Sequence, residues 1–268
     1  MTASCVRWFS EIGLDDIPTV GGKTAALGEM YRSLLPLGVR QANGFAVTAQ
    51  AYRDALDRAG AWAALHAVLD GLDKADTAAL RAAGERCRQI VYEAGLPPEA
   101  DAEARAAWRD LAAESGAGFS VAVRSSATAE DLPGASFAGQ HDTYLNVVGE
   151  DAAIDAIRRC NASLFTDRAI SYRIDHGFDH FAVSLSTCVM RMVRADRSAS
   201  GVMFTIDTET GHPDFVMVNA CLGLGENIVQ GAVDPDEFLV HKPTFRVGAR
   251  AVTSRRLGAK QFTMVYAE

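Results

Sequence analysis

The chain has 268 residues, of which 49% are hydrophobic and 22% charged, a balance typical of a folded globular protein and unlike that of a disordered, collagenous or coiled-coil chain. Its 26 basic and 34 acidic residues give a net charge of −8, which argues against a broad nucleic-acid-binding surface. Five scattered cysteines without a CxxC pair favour a reducing cytoplasm over a disulfide framework or zinc site, and no segment predicts a signal peptide or a membrane span.

The first part of the chain is predicted to be helical. A Gly-Gly pair at 21–22 predicts a turn that feeds a helix ending near Pro36, because apolar residues then recur every three or four positions. Thr48 is the predicted N-cap of a second helix. The Ala-, Arg- and Glu-rich stretch 62–113 is predicted to be helical apart from a stop at 95–98.

The later part is predicted to be richer in strands. Residues 119–123 alternate as in a strand and lead into a hydroxyl-rich loop at 124–128, and 152–172 is a predicted helix. Five short segments have strand-like composition: 182–193, 201–206, 215–220, 237–241 and 262–266.

This order of elements predicts an α+β fold in two lobes. The first lobe is predicted to span residues 1–195, with a helical segment at 48–113 and a phosphate loop at 124–143. The second lobe, residues 196–268, is rich in strands and is expected to be incomplete.

The first candidate site is the segment Val20-Gly-Gly-Lys-Thr24, where glycines allow close approach of a ligand and Lys23 lies at a helix start. It is not a Walker P-loop, because Ile17 occupies the position of that motif's first glycine. An ordinary glycine turn before a helix is the alternative interpretation.

The second candidate site is the stretch 123–143, which contains one Arg, five hydroxyl residues and two glycines. Arg124 could present a planar fork to phosphate oxygens, and the stretch Gly134 to Gly139 could fold over a nucleotide and donate backbone N–H groups. A long solvated loop is the alternative, although structureless loops of this length are usually functional or disordered.

The third candidate site is Asn219 to Glu226, a strand-like run that ends in glycines and an acid. Glu226 could face a ribose or help to position a metal, and a tight turn explains the pattern equally well. The acids Asp234, Asp236 and Glu237 follow, but no histidine lies at ligand spacing, and solvated turn acids are the simpler interpretation.

Six motifs occur in an order that resembles the N-terminal ATP-grasp nucleotide-binding domain of the phosphoenolpyruvate synthase family, which is related to pyruvate phosphate dikinase and rifampicin phosphotransferase. They are VGGKTAALGE (20–29), VRSSATAEDLP (123–133), ASFAGQ (135–140), LFTDRAISYR (164–173), GVMF (201–204) and GAVDPDEF (231–238). The last motif, with VHKP at 240–243, is most similar to the phosphoenolpyruvate synthase branch.

The resemblance implies roles for individual residues. Lys23 and Arg124 match phosphate-binding cations, Gly139 lies in a glycine-containing phosphate loop, and Thr143 matches a nucleotide-contacting position. From the Gly-Gly-Lys and Val-Arg-Ser-Ser segments, Lys23 and Arg124 are expected to converge on one anion site. Residues 129–139 are expected to be mobile or poorly ordered without nucleotide, because few of them can anchor the stretch by burial. Met190 stands where the family usually has Gln, so the hydrogen bond of that Gln is not carried over.

The resemblance also implies an activity for the parent protein: ATP, pyruvate and water would give phosphoenolpyruvate, AMP and phosphate through a phosphohistidine on another domain, with Mg²⁺ as cofactor. No histidine of this chain lies in a carrier motif, so the chain is expected to be an ATP-binding fragment without a catalytic residue of its own. A homodimer is possible. The alternatives are the ATP domain of a rifampicin phosphotransferase type of enzyme and a free-standing module without turnover.

Overall fold

A computed structural model describes residues 4–128 and 142–266 of the chain, which divides into two units, Met1–Met192 and Val193–Glu268. Each unit has its own antiparallel sheet. No helix in the described ranges is long and apolar enough to cross a membrane. The five cysteines are free thiols.

The first unit contains a five-stranded sheet with the order β1-β2-β5-β3-β4. Its strands are β1 (Val6–Trp8), β2 (Gly44–Val47), β3 (Val121–Ala127), β4 (Thr143–Val147) and β5 (Leu185–Arg191). Its helices are α1 (Ile17–Leu34), α2 (Ala49–Ala59), α3 (Ala61–Leu69), α4 (Thr77–Ala94), α5 (Pro98–Ser115), α6 (Glu150–Ala162) and α7 (Asp167–Asp175).

Side chains on the two faces of this sheet pack into separate cores, because successive residues of a strand point to opposite faces. Val123 and Val189 face a core that includes the alanines of α5 and the apolar face of α6. Ala46 and Cys188 face the other way and pack against α1. Helices α3, α4 and α7 close a further cluster around Leu65.

The outer edge of β1 is occupied by side-chain acceptors. The backbone N–H of Val6 donates to Glu103 Oε2 at 3.0 Å, and the N–H of Trp8 donates to Glu11 Oε2, also at 3.0 Å. Both amides point away from β2, so two carboxylates take the positions that a neighbouring strand would occupy.

The second unit contains a four-stranded sheet with the order β6-β7-β8-β9. Its strands are β6 (Ala199–Phe204), β7 (Phe215–Leu222), β8 (Asp236–His241) and β9 (Val252–Arg256), and its two short helices are α8 (Glu226–Val229) and α9 (Lys242–Arg246).

Several predicted elements are confirmed. Helix α1 ends at Leu34, two residues before Pro36, and its regular part follows Gly21, which interrupts it with φ 73°. Thr48 caps α2, because its Oγ1 accepts a hydrogen bond from the N–H of Ala51 at 3.4 Å. The mixture of helices and antiparallel sheets is the predicted α+β class.

Three predictions of local structure are wrong. The helical stretch 62–113 is broken at 70–76, where Gly71 takes φ 79°. Residues 124–127 belong to β3 instead of a loop, because β5 pairs with the strand over its whole length. Residues 262–266 form no strand, and only Met264 makes an isolated bridge, to Gly223.

Helix α7 carries a buried arginine. Arg173 is fully buried, its Nε donates to His180 Nδ1 at 2.9 Å, and its guanidinium carbon lies 5.3 Å from the centre of the Phe165 ring. Its two terminal nitrogens have no hydrogen-bond partner among the described residues. Burial and, second, the charge of Arg173 lower the pKa of His180 to about 4.

This lowered pKa predicts a loss of stability in mild acid. Unfolded histidine has a pKa of about 6.5, so between that value and about 4 the unfolded state binds the proton more tightly. Stability is therefore complete above this window and falls as the pH falls through it. The wild-type chain should lose about 1–2 kcal/mol of unfolding free energy between pH 7 and pH 5 through this group, measured by urea titration.

The variants His180→Gln and His176→Gln separate this group from the others that titrate in the window. His180→Gln keeps an acceptor for Arg173 and should show a shallower pH dependence than the wild-type chain. Exposed His176 provides the matched control. Equal slopes in the two variants would show that His180 does not cause the loss.

Candidate functional site

The glycine turn at the start of α1 lies directly against β3. A Cβ at Gly21 would stand 2.3 Å from Ser126 Oγ and 2.4 Å from the Ser126 backbone oxygen, so only glycine permits this approach. Ser126 Oγ accepts a buried hydrogen bond from the N–H of Thr24 at 3.1 Å. The first regular turn of α1 is therefore fixed to β3.

Lys23 lies in this fixed turn. Its neighbour Thr24 is fully buried, whereas Lys23 itself is exposed at the helix surface. Because the preceding helical segment is broken at Gly21, the lysine stands at the N-terminal end of the regular helix, where backbone N–H groups and the helix dipole also favour an anion.

Arg124 and Thr143 are direct neighbours across two strands. In the sheet Arg124 of β3 stands opposite Thr143 of β4 on one side and Cys188 of β5 on the other. Residues opposite each other share a face of the sheet, and so do residues two apart along a strand. Arg124 and Thr143 therefore lie on the same face as Ser126, the face that α1 covers.

The thiol of Cys188, which stands opposite Arg124 in the sheet, is affected by that cation. Burial raises the pKa of Cys188 to about 12, and the charge of Arg124 opposes that rise. Burial also raises the pKa of Cys160, and there Lys23 is one of the opposing groups. Cys160 Sγ lies 3.7 Å from the carbonyl oxygen of Asp142, next to the start of β4.

Met190 occupies the β5 position that the motifs assign to glutamine. It stands opposite Gly44 of β2 and Ala122 of β3 and packs against the core under α1. A thioether is a weak acceptor and no donor, so apolar packing replaces the expected amide at this position.

The remaining predicted residues fall elsewhere. Glu226 is exposed at the first position of the four-residue helix α8 in the second unit. Gly139 and the proposed mobile stretch 129–139 lie outside the described residues.

The acids after Gly231 stabilise a turn in the second unit. Asp234 pairs with Arg256 at 2.8 Å and accepts the N–H of Ala259 at 3.0 Å. Asp236 pairs with Lys260 and accepts the N–H of Gly258 at 2.9 Å. These contacts lower the pKa of both carboxyls, so each acid is committed to a cation of this chain.

No group of three or more His, Cys, Asp or Glu among residues 4–128 and 142–266 is placed to hold a metal ion.

Sequence reasoning missed the hydroxyl groups that support the site. It treated Ser126 as part of a loop, yet Ser126 is fully buried and joins β3 to α1. The available signal was Gly21: a glycine two residues before the lysine indicates a close approach, and a small polar residue is a suitable neighbour for it.

Comparison with known proteins assigns a family to this arrangement. The profile described as "Pyruvate phosphate dikinase, AMP/ATP-binding domain" matches residues 17–268. Similar curated proteins include phosphoenolpyruvate synthases of Pseudomonas aeruginosa (52% identity), Neisseria meningitidis (49%) and Escherichia coli (48%), with matches that cover 97%, 100% and 98% of this chain. They cover 33%, 34% and 33% of those proteins, so the chain spans about a third of their length.

The contact between α1 and β3 predicts that adding one methyl group at Gly21 lowers the free energy of unfolding more than at other glycines with a positive φ. Gly21→Ala must accept both a positive φ and an overlap with the β3 backbone, and should lose at least about 2 kcal/mol of unfolding free energy. Gly38→Ala is the matched control, because Gly38 also has a positive φ, with no atom within 4 Å of the added Cβ. It should lose only about 1 kcal/mol. Equal losses in urea titrations would contradict the proposed role of the close approach.

Proposed function

The chain belongs to the family of pyruvate phosphate dikinase AMP/ATP-binding domains, and we propose that it binds ATP with Lys23 and Arg124 on the phosphates and Thr143 on the nucleotide. Gly139 would contribute a backbone N–H to the phosphates. Contact of Glu226 with the ribose stays a separate prediction.

The observation that carries this proposal is the placement of Arg124 and Thr143 on the sheet face covered by α1, whose first regular turn holds Lys23. Charge-assisted hydrogen bonds from fixed cations neutralise phosphate oxygens at little cost in reorganisation. In phosphoryl transfer the protein contributes mainly positioning and charge neutralisation. A rigid helix start beside a central strand provides that positioning.

ATP would be bound as its Mg²⁺ complex. The described acids do not form a set that fits this metal, because Asp234 and Asp236 are already paired with Arg256 and Lys260. Magnesium in such sites is held largely by phosphate oxygens and water, so the nucleotide itself would carry it. When bound, the metal would neutralise charge on the polyphosphate.

The relatives named phosphoenolpyruvate synthase indicate the reaction to which this domain contributes. We propose that the full-length protein converts ATP, pyruvate and water to phosphoenolpyruvate, AMP and phosphate in the cytoplasm. The phosphohistidine and the site for pyruvate and phosphoenolpyruvate would lie in parts of the protein other than this chain. The role of these 268 residues is then to bind and orient the phosphoryl donor.

Calorimetric titration of the chain with ATP and Mg²⁺ tests the binding site. Lys23→Ala and Arg124→Met should each weaken ATP binding by about 10- to 150-fold, since a hydrogen bond to a charged group contributes about 1.5–3 kcal/mol. Lys74→Ala removes a half-buried lysine that pairs with Asp175 and should leave the affinity unchanged.

The double variant Lys23→Ala/Arg124→Met tests whether the two cations share one anion. If they do, the combined loss should differ from the sum of the single losses in free energy. Unchanged ATP affinity in both single variants, with the wild-type thermal midpoint retained, would exclude the proposed site.

The isolated chain should bind ATP without turnover. None of its histidines is assigned a phosphoryl-carrying role, so the chain with ATP, Mg²⁺ and pyruvate should release no AMP. Formation of AMP at roughly 1–100 per second, an ordinary kinase rate, would show that the chain contains the complete catalytic machinery.

A further inference from the structure

A small polar cavity lies beside the start of α2, and neither Lys23 nor Arg124 is among the residues that line it. It has a volume of about 150 Å³ and is lined by Pro18, Thr19, Ala49, Gln50, Arg53, Thr128 and Ser184. This is below the roughly 300–1,000 Å³ of sites for drug-sized ligands. The cavity is therefore suited to a small polar ligand or ion.

Helix α2 presents its N-terminal end to this cavity. The helix has 11 residues, and Ala49 and Gln50 are its first two. The first N–H groups of a helix have no acceptor within the helix, and among the described residues Thr48 Oγ1 accepts only the N–H of Ala51. The backbone at the cavity wall therefore offers donors and the positive end of the helix dipole.

Ser184 supplies an independent indication of a ligand. Its side chain is only 2% exposed, and its Oγ has no hydrogen-bond partner among the described residues. The backbone of Ser184 is already engaged, because its oxygen accepts the N–H of Thr128 at 3.0 Å. A buried hydroxyl without a partner is costly, and a ligand in the cavity would satisfy it.

Arg53 makes the cavity electropositive. One nitrogen of its guanidinium donates to the Ala182 backbone oxygen at 3.4 Å, which uses one of its five N–H groups. No acidic residue is among the described residues that line the cavity. The nearby carboxylate of Asp54 accepts Gln50 Nε2 at 2.7 Å, so it is already paired with a donor.

We propose that this cavity is a binding site for a tetrahedral oxyanion, with inorganic phosphate as the ligand. The Arg53 fork, the first N–H groups of α2 and Ser184 Oγ approach from different elements, and a phosphate has acceptor oxygens in enough directions to meet all three. The site does not depend on the proposed ATP site, because neither Lys23 nor Arg124 lines it.

The cavity and the ATP residues are separated along the same elements. Thr128 lies four residues beyond Arg124, which corresponds to roughly 13 Å along an extended strand. Thr19 precedes the break at Gly21, whereas Lys23 follows it. A phosphate bound in the cavity is therefore a different anion from the phosphates of ATP at Lys23 and Arg124.

Calorimetric titration of the 268-residue chain with inorganic phosphate tests the proposal. Arg53→Met should weaken phosphate binding at least tenfold, and Ser184→Ala should weaken it several-fold. Arg40→Met removes an exposed arginine outside the cavity and should leave the affinity at the wild-type value. Thermal midpoints measured without phosphate verify that each variant is folded, and Arg53→Lys, which keeps the charge but loses the fork, replaces Arg53→Met if that variant unfolds.

A second titration with ATP present separates the two possible sources of the phosphate group. If free phosphate is the ligand, its affinity should persist when the chain is saturated with ATP, and Arg53→Met should leave ATP affinity unchanged. If a phosphoryl group of the nucleotide occupies the cavity, ATP should abolish phosphate binding and Arg53→Met should weaken both ligands, which would overturn the assignment to inorganic phosphate.

Two results would overturn the site itself. One is the absence of any heat of phosphate binding in the wild-type chain. The other is equal phosphate affinity in the wild-type chain, Arg53→Met and Ser184→Ala. Neither result bears on the ATP site, which Lys23→Ala tests with a different ligand.

Discussion

The first unit depends on the close approach of α1 to β3 at Gly21. Because Gly21 has no side chain, the start of α1 contacts β3 directly. The hydrogen bond from the Thr24 N–H to Ser126 Oγ holds the helix at this distance from the sheet. The two cations of the proposed ATP site lie on the two elements that meet at this contact. Lys23 is carried by the fixed turn, and Arg124 extends from the same strand two residues away.

The arrangement of the strands explains how a polar segment forms part of a regular strand. β3 pairs with β5 along its whole length and with β4 over its first half, so the segment Arg124-Ser-Ser-Ala127 is anchored by its backbone and not by its side chains. The side chains are then available for other tasks. Ser126 Oγ accepts a hydrogen bond from the N–H of Thr24 in α1. Arg124 and Thr143 stand opposite each other on the same face of the sheet.

The sequence was informative where local chemistry decides the structure. Thr48 is a helix cap because its hydroxyl reaches an amide three residues on, and the apolar spacing of α1 does not depend on the rest of the chain. The sequence was misleading where pairing between strands that are distant in sequence decides the local structure. The β-propensity of 124–127 is poor and that of 262–266 is good, yet β5 pairs with every residue of the first segment and the second makes only one bridge.

The same limit applies to the site. The motifs singled out Lys23, Arg124 and Thr143, and the spacing of Asp234 and Asp236 left a metal role open. That role could be judged only from Arg256 and Lys260, more than 20 residues away in sequence, which pair with the two acids. Likewise, the cavity at Arg53 collects residues from four separate segments and has no motif.

The two carboxylates at the edge of β1 limit how copies of the first unit could associate. Glu11 and Glu103 occupy the outward amides of that strand, and β4 forms the other edge of the sheet. A filament built by joining sheets edge to edge needs two open edges on every copy, whereas one open edge permits only a symmetric pair. The acids that satisfy β1 therefore prevent the first unit from extending such a filament through that edge.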